Sequence, residues 1–570
     1  MQRDRLPYLL IPLAACIAIL PLILHGCSCG HDFDFHLLNW MEAARQFSHG
    51  NLHPHWAYTA AWNAGEPRFV FYPPLSWALG AILTLIFPIS ATPILYTWLA
   101  LTASGLALHR LARDFAPPTA ALLAAILYTV NPYMLFTAYE RTAYAELLAA
   151  AFIPLLLHAI LRERVTIPGI AIPIALLWLT NAPAAVMSCY ALALLTVIRL
   201  ARPSNTPRKD IAVNTVAGTL LGMALAAFYI LPAAYERRYV QITMAIIPNM
   251  RIQDNFLFHH TGDAPHDQVL HTASIIALIL LVATLTAIVI SIAQLRSPRN
   301  PDSRTPSDTA APRPTNPNNQ PSSLLERSEA ALCSIRIRTT SLLASLATLT
   351  VAISLLLTPI TNILWNHAPE LAFLQFPWRF LAILAAAMSL AIALAIARVN
   401  LKPTASAAIT IVVAAALTYP AYALFHQSCD EEDTPAAREA LFHSNRGTDP
   451  TDEYTPTTAD NDPLAQSDPA YWLSPDPNAK APTQTQPAPA PTHLTLNPPI
   501  PEDLVLNLRD YPDWRITDNG SLITTREQRD DGLIALPLPP ALPPSTSPTS
   551  ATLTKPSATS SPPSLSLSSS

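Results

Sequence analysis

Charged residues are scarce in this chain. Only 13% of its 570 residues are Asp, Glu, Lys or Arg, whereas 51% are hydrophobic. Soluble domains carry about 25% charged residues, so this composition indicates an integral membrane protein diluted by polar segments. The net charge of −5 is small, and no basic patch interleaved with aromatic residues is present. Nucleic acid is therefore not an expected partner.

Cysteine is equally sparse. The six cysteines are scattered, so neither a zinc site nor a disulfide scaffold is predicted. Cys27, Cys29 and Cys429 fall on the same predicted side of the membrane, which leaves one bridge to Cys429 open. The alternative is that they act as small apolar residues. The chain also lacks a glycine-rich phosphate loop, a nucleophile elbow and an HExxH motif, and no metal site is predicted.

Long apolar runs are abundant. The first, from Leu6 to Leu24, follows Arg3 and Arg5 and lacks an Ala-x-Ala cleavage site after it. It is long enough to cross a bilayer, so we expect a retained transmembrane helix and not a signal peptide. Ten more apolar runs bring the expected number of crossings to eleven: 91–110, 118–137, 143–161, 166–181, 183–199, 211–232, 271–295, 341–363, 376–397 and 404–425.

The apolar run at 75–89 decides the topology, because counting it as a crossing inverts everything after it. If it lies in the interface or re-enters, most basic residues fall on the cytoplasmic side, including seven arginines between Arg296 and Arg338. This distribution obeys the positive-inside rule. We therefore predict eleven helices, with the N-terminus inside and the C-terminus outside.

The expected domains follow from these runs. Residues 1–425 form the transmembrane domain, which includes a first outer loop at 26–90 and a disordered inner linker at 297–340, rich in Pro, Ser, Asn and Arg. Residues 426–536 form an extracytoplasmic segment. Its part 494–536 is predicted to be β-rich, because Asp518-Asn519-Gly520 between apolar runs is typical of a hairpin. Residues 537–570 are expected to be a disordered Pro/Ser tail.

Two acids stand at the start of the first outer loop. Asp32 and Asp34 directly follow the first helix, and because a carboxylate near a bilayer is costly, its default interpretation is functional. Either could simply cap the helix that begins near Phe35. The functional interpretation is a catalytic base or a metal ligand, and a catalytic role is the prediction for both. His36 and Tyr72 of the same loop are predicted to bind substrate, against the alternatives of an interfacial anchor and a rigid corner.

Later loops supply the expected partners. Arg141 suits a phosphate or a carboxylate through its planar fork, and Glu146 lies in the first turns of the next helix. The alternative is an internal Arg141–Glu146 ion pair that braces the corner. Gln375 and Arg379 open a late helix, where Arg379 could either bind lipid phosphates or hold a substrate phosphate. All four are predicted to bind substrate.

Several motifs resemble the bacterial membrane proteins labelled "6-pyruvoyl-tetrahydropterin synthase-related". The label is only a name, and the pterin-synthase activity is not expected here because the sequence shows no pterin-synthase zinc site. The order of the motifs is the strongest part of the resemblance. They are His31-Asp32 with Phe35-His36, the segment from Gly50 to Pro54, Gly65-Glu66-Pro67, Phe71-Tyr72-Pro73-Pro74-Leu75, Arg141 with Tyr144-Ala145-Glu146, Leu374–Phe380, Asp452-Glu453-Tyr454-Thr455-Pro456 and Tyr511-Pro512-Asp513-Trp514-Arg515.

The layout also resembles the C-type (GT-C) integral membrane glycosyltransferases. That resemblance implies sugar transfer from a polyprenyl-phosphate donor to an envelope acceptor, at the outer face of a bacterial cytoplasmic membrane. Asp32 would be the base, with Asp34 its neighbour, and Arg141 and Arg379 would bind the donor phosphate. Glu146 would brace Arg141 or share a divalent cation. The expected partners are the lipid-linked donor and membrane lipids.

Two departures and one rival accompany this interpretation. Asn181 stands where such proteins often carry a histidine before a proline, so no role is assigned to it. The β-rich region also gives way to Pro/Ser sequence after Leu536. The rival function is a non-catalytic assembly factor or transporter for envelope polymers. A transporter would place ionisable residues on the spans at mid-membrane.

Overall fold

The computed structural model describes residues 2–203, 206–296, 322–399, 402–482, 486–496, 498–518, 520–538 and 549–554. A helical transmembrane body is followed by a small β-rich module, so the predicted fold class is confirmed. The helices are α1 (Gln2–His25), α2 (Phe33–Ser48), α3 (Arg68–Phe71), α4 (Pro74–Ile86), α5 (Thr92–Arg113), α6 (Pro118–Thr129), α7 (Pro132–Tyr139), α8 (Tyr144–Ala149), α9 (Ile153–Leu161), α10 (Ile167–Thr180), α11 (Ala182–Ala201), α12 (Arg208–Leu225), α13 (Ala227–Glu236), α14 (Ala264–Arg296), α15 (Ser322–Leu356), α16 (Asn362–His367), α17 (Pro369–Ala372), α18 (Leu381–Ala395), α19 (Pro403–Phe425) and α20 (Pro435–His443).

The eleven predicted apolar runs all fall on these helices. Across the described ranges, eight helical stretches are long and apolar enough to cross a membrane by themselves, and α12 with α13 makes a ninth that is bent by 71°. The run at 91–110 corresponds to α5, which is not among these helical stretches. The run at 166–181 corresponds to α10, which has only 14 residues. The structure therefore supports eight or nine crossings on length and composition, fewer than the eleven predicted.

The ambiguous run at 75–89 forms α4, a helix of 13 residues. Its length of roughly 20 Å is shorter than a hydrocarbon core of about 30 Å. Helix α4 packs along α2 instead, and Gly80 of α4 lies directly against the Trp40 ring of α2. The two helices therefore form one unit beside the spans.

Helix α18 forms the centre of the helical body. Nearly all of its side chains are buried, because it packs against α14 on one side and α6 on another. A helix that is apolar all round is expected to be enclosed by protein or lipid. Its many alanines allow its neighbours to approach closely.

Two segments that we expected to lack structure contain regular elements. The predicted linker 297–340 overlaps α15, which begins at Ser322, because helical sequence extends the following span backwards. Residues 297–321 lie outside the described residues. The predicted tail 537–570 contains a strand at Thr549–Thr554, whose threonines favour a sheet. The rest of that tail beyond Leu538 lies outside the description.

The β-module, residues 471–554, contains two antiparallel sheets. Its strands are β1 (Tyr471–Ser474), β2 (His493–Leu496), β3 (Glu502–Arg509), β4 (Arg515–Asp518), β5 (Ser521–Leu522), β6 (Leu533–Leu538) and β7 (Thr549–Thr554). The first sheet has the order β1-β3-β6 and the second β2-β7-β4-β5. The predicted hairpin is present, since Thr517 pairs with Leu522 and Asp518 with Ser521. The module begins earlier than expected, because β1 lies entirely before residue 494.

The module packs on the first loop, residues 26–73. The Trp56 ring of that loop lies edge-on to Trp514, with ring centroids 5.2 Å apart. The backbone N–H of Arg509 in β3 donates to the Ala64 carbonyl at 2.9 Å. The trailing segment, residues 426–459, also reaches this loop, because the Thr448 N–H donates to the Thr59 carbonyl at 2.7 Å. The first loop is thus enclosed by parts of the chain that lie about 400 residues further on.

A disulfide joins the two ends of the helical body. Cys29, just after α1, is bonded to Cys429, just after α19, across a sequence separation of 400 residues. The bridge that the sequence left open is therefore made by Cys29, whereas Cys27 is a buried free thiol.

Replacing Cys429 by serine should lower the stability of the protein by about 2–4 kcal/mol, because the bridge restricts a very long loop in the unfolded chain. The measurement is thermal unfolding of purified protein in detergent, followed by tryptophan fluorescence. Cys16→Ser, which changes an exposed free cysteine, is the control. Equal unfolding temperatures for the two variants would contradict a structural role for the bridge.

Candidate functional site

A cavity of about 690 Å³ lies where the first loop, the turn before α8, the turn before α18 and the trailing segment meet. Seven of the eight predicted site residues line it: Asp32, His36, Tyr72, Arg141, Glu146, Gln375 and Arg379. They come from distant parts of the sequence, so the tertiary structure alone brings them together. Their roles in binding or catalysis remain predictions.

Asp32 occupies the position before α2 but does not cap it. Its side chain makes no hydrogen bond to the N–H groups of the first helical turn. Its own backbone N–H donates to the Arg141 carbonyl at 3.0 Å, which ties this corner to the turn before α8. The half-buried carboxylate lines the cavity. The helix cap that was the alternative role for Asp32 is therefore not formed.

Asp34 is not part of the cavity lining, contrary to the prediction that placed it beside Asp32 as a catalytic acid. Two residues further along a helix, its side chain points about 200° around the axis from that of Asp32. It pairs with Arg438 of α20 at 2.5 Å, and Arg438 also pairs with Asp433. Burial raises the pKa of Asp34 to about 6, although the Arg438 guanidinium acts in the opposite direction. The ion pair between Asp34 and Arg438 therefore joins α2 to the trailing segment.

Glu146 is the central acid of the cavity wall. One carboxylate oxygen accepts a hydrogen bond from the Arg141 guanidinium at 2.7 Å and lies 3.5 Å from Nε of Arg379. The other oxygen accepts a hydrogen bond from the Tyr133 hydroxyl at 2.5 Å. The bracing ion pair proposed as an alternative role is therefore present, and it forms part of the cavity.

The two arginines carry one more positive charge than Glu146 neutralises. Arg141 is 4% exposed and lies over the Trp378 ring, and Arg379 lies over Phe376. Burial alone would lower the pKa of Arg141, but the Glu146 carboxylate raises it above its ordinary value. Nε of Arg379 has no hydrogen-bond acceptor among the described residues. This wall can therefore attract an anion and offer it a donor.

His36 is 1% exposed and is one of the buried residues of the cavity lining. Burial lowers its pKa to about 4, so the imidazole is neutral at pH 7. Its Nε2 lies 3.5 Å from the Tyr72 hydroxyl, a long contact at the limit of a hydrogen bond. Burial likewise raises the pKa of Tyr72 well above its ordinary value, so its phenol remains a neutral donor.

Two residues of the site have left-handed backbone conformations. Thr142, next to Arg141, has φ 46°, and Gln375 has φ 58°. Each such residue costs about 1–3 kcal/mol, and residues of this kind cluster at functional sites. The Gln375 side chain donates to the Ala245 carbonyl at 2.7 Å, which holds the turn before Arg379 in place.

The cavity also includes residues to which the sequence assigned no role: Asn181, Asn255, His266, Glu453 and Tyr454. Glu453 is a third carboxylate of the lining, in addition to Asp32 and Glu146, and burial raises its pKa. It belongs to a motif that contributed to the family resemblance, but nothing in an isolated acidic stretch separates it from a solvated surface. Asn181 caps α11, because its side chain accepts a hydrogen bond from the Ala184 N–H at 2.8 Å.

No group of three or more His, Cys, Asp or Glu side chains within the described part of the chain is arranged to hold a metal ion. Asp32 and Glu453 are the carboxylates of the wall that could each contribute an oxygen ligand. Mg²⁺ is often bound by one or two carboxylates together with substrate phosphates. The divalent cation therefore remains a prediction.

Residues 69–250 match the model of a family described as "6-pyruvoyl-tetrahydropterin synthase related domain; membrane protein". The match confirms the predicted resemblance over this segment, which contains Tyr72, Arg141 and Glu146. The sequence matches none of the curated proteins with which it was compared.

Among the solved structures that resemble the chain are those of two different proteins. The cryo-EM structure of the arabinofuranosyltransferase AftD from mycobacteria aligns with 17% identity and a TM-score of 0.41, over 73% of this chain and 27% of that one. The oligosaccharyltransferase from Archaeoglobus fulgidus, crystallised with zinc and sulfate, aligns with 15% identity and a TM-score of 0.38, over 74% of this chain and 54% of that one. The chain thus spans about a quarter and about half of the lengths of these structures.

Glu146→Gln should destabilise the protein by about 3–5 kcal/mol, since it leaves two buried arginines without their shared carboxylate. The measurement is unfolding by SDS in mixed micelles. Glu431→Gln, an exposed acid in the trailing segment, is the matched control and should change stability by less than about 0.5 kcal/mol. Similar unfolding of the two variants would show that the arginines do not depend on Glu146.

His36 should make the protein less stable in acid. The folded state keeps His36 neutral down to about pH 4, whereas the unfolded chain binds a proton below about pH 6.5. The free energy of unfolding should therefore fall by up to about 1.4 kcal/mol per pH unit between these values as pH decreases. Subtracting the pH profile of His36→Gln isolates this contribution, and His259→Gln, at an exposed histidine, should retain it. Parallel profiles for wild type and His36→Gln would contradict it.

Proposed function

We propose that the protein is a glycosyltransferase, which moves a sugar from a polyprenyl-phosphate donor to an acceptor in the cell envelope. The observation that carries this proposal is the composition of one cavity wall. Two buried arginines share a single glutamate there, and Asp32 faces the same cavity without a capping hydrogen bond. A cation surplus beside a carboxylate is what a phosphate leaving group and a hydroxyl nucleophile require.

The arginine wall suits the phosphate of the donor. Arg141 and Arg379 present planar guanidinium groups that bind phosphate oxygens through paired hydrogen bonds. Their positions are held by Glu146 and by the Trp378 and Phe376 rings, so little reorganisation is needed when an anion binds. Apolar side chains such as Val269, Leu270 and Met250 line the same cavity and suit the first isoprene units.

The reaction is a substitution at the anomeric carbon. An acceptor hydroxyl oxygen forms a bond to that carbon while the bond from carbon to the phosphate oxygen breaks, and the electron pair leaves with polyprenyl phosphate. Asp32 takes the proton of the acceptor hydroxyl. Arg141 and Arg379 stabilise the negative charge that grows on the departing phosphate.

The disulfide supports the predicted orientation. Structural disulfides persist in oxidising compartments and are rare in the cytosol. Cys29 and Cys429 lie immediately beside the cavity corner at Asp32, and Cys429 precedes the β-module. We therefore place the cavity and the module at the outer face of the bacterial cytoplasmic membrane.

A transporter is less well supported than an interfacial enzyme. Its ionisable residues would lie at mid-membrane, whereas Glu146 and Arg379 lie near the starts of the spans Tyr144–Leu161 and Pro377–Ala395. The cavity is therefore at the end of the helical body. A non-catalytic assembly factor would share this geometry, and the activity assay below separates it.

Asp32→Asn should reduce transfer by at least about 100-fold, the usual loss when a general base is removed. The assay uses purified protein and a panel of polyprenyl-phosphate sugars, with release of polyprenyl phosphate as the readout. Asp34→Asn is the matched control, because Asp34 pairs with Arg438 outside the cavity lining.

Asp34→Asn should retain transfer within a few-fold when its fold is intact by fluorescence-detected gel filtration. Equal transfer by Asp32→Asn and wild type would refute the role of Asp32 as the base. Binding of a donor without transfer by the wild type would favour the assembly factor.

A further inference from the structure

A second concavity, which we call the module groove, opens on the β-module. It has a volume of about 720 Å³ and lies between the β4–β5 hairpin, the loop that leads into β4 and residues 456–458 of the trailing segment. None of its lining residues was assigned a role from the sequence, and none lines the first cavity.

The module groove and the first cavity share a wall. Residues 239–242 and 454–457 run side by side, with a bridge between Val240 and Pro456. The Gln241 N–H donates to the Thr455 carbonyl at 2.8 Å, and the Thr457 N–H donates to the Tyr239 carbonyl at 3.0 Å. On one side of this wall Ile242 and Tyr454 face the first cavity, and on the other Tyr239 and Thr457 face the groove. A long ligand in the groove would thus lie one thin wall away from the first cavity.

The lining of the groove combines groups that bind polyhydroxylated ligands. Arg526 is held by Asp510 and also donates to the Trp514 carbonyl at 2.6 Å, so its guanidinium is fixed at the groove. Exposed Arg515, Thr457 and Thr524 add donors and acceptors.

Aromatic side chains complete the lining. Tyr239 is half-buried in the shared wall, and Trp514 forms part of the groove floor. Trp514 is 5% exposed, and its Nε1 has no acceptor among the residues that the structure describes. The half-buried Tyr239 ring is the more accessible of the two for packing against the C–H face of a sugar ring, while charged and hydroxyl groups exchange hydrogen bonds with sugar hydroxyls.

We propose that the module groove is a binding site for an oligosaccharide, which holds the acceptor as a glycan chain beside the first cavity. The role of the bound glycan as an acceptor rests on the proposed glycosyl transfer. Binding of the glycan in the groove requires no catalysis. The proposal makes the acceptor a saccharide polymer and not a protein or a simple lipid.

The test uses the full chain in lipid nanodiscs, with maltohexaose, α-1,6-linked mannohexaose and arabinohexaose as probes. Binding is measured by saturation-transfer NMR and by titration. At least one hexasaccharide should bind. Arg515→Ala should weaken it by about tenfold, as expected for a hydrogen bond to a charged group. Thr457→Trp, which fills the groove from an exposed position, should abolish it.

Two controls separate the groove from the first cavity. Arg446→Ala, at an exposed arginine of the trailing segment that does not line the groove, should leave binding unchanged. Asp32→Asn should also leave hexasaccharide binding unchanged while it removes transfer. Failure of transfer in the wild type, with hexasaccharide binding intact, would overturn the proposed function and leave the groove in place.

Three results would overturn the proposal that the groove binds an oligosaccharide. The first is that none of the hexasaccharides binds. The second is equal binding by wild type, Arg515→Ala and Thr457→Trp, with all three folded by gel filtration. The third is loss of hexasaccharide binding in Asp32→Asn, which would place the probe in the first cavity.

Discussion

The ion pairs around Glu146 hold the functional end of this protein together. One carboxylate near the start of a span contacts Arg141 from the preceding turn and Arg379 from a span more than 200 residues further on. Buried charges are tolerated only when paired and hydrogen-bonded, so these elements have to meet in one arrangement. The same requirement leaves one surplus positive charge within the cluster of Arg141, Arg379 and Glu146. The interaction that joins the elements is therefore also the source of the proposed anion affinity.

A second set of contacts closes the cavity from the opposite side. The trailing segment is joined to the first loop by the Cys29–Cys429 bridge and by the Asp34–Arg438 pair. Glu66 and Arg68 extend this junction, because Glu66 accepts from the Thr451 N–H at 2.6 Å and Arg68 donates to the Thr451 hydroxyl at 2.8 Å. These contacts place Glu453 and Tyr454 at the cavity. They also build the wall between the cavity and the module groove, so one segment organises both sites.

The sequence predicted much of the fold, because hydrophobic runs and turn residues are local signals. All eleven apolar runs are helical, and the hairpin around Gly520 is present. Apolar runs in the sequence were weaker guides to which helices cross the membrane, since neither α5 nor α10 is among the helices that are long and apolar enough to do so. The start of α15 and strand β7 were missed because Pro- and Ser-rich composition indicates disorder but does not specify where a neighbouring helix or sheet extends into it.

What the sequence determined by itself was the set of chemically unusual residues: acids and arginines beside apolar runs, where ionised groups are costly. Only the tertiary structure decided which of them act together. Asp32 and Asp34 are indistinguishable as letters two positions apart, but helix geometry turns one toward the cavity and the other toward Arg438. Glu453 reaches the same wall from over 400 residues away. The local sequence shows that a charged residue lies next to an apolar run, where its ionisation is costly. Which residue pairs with that charge depends on packing between distant segments.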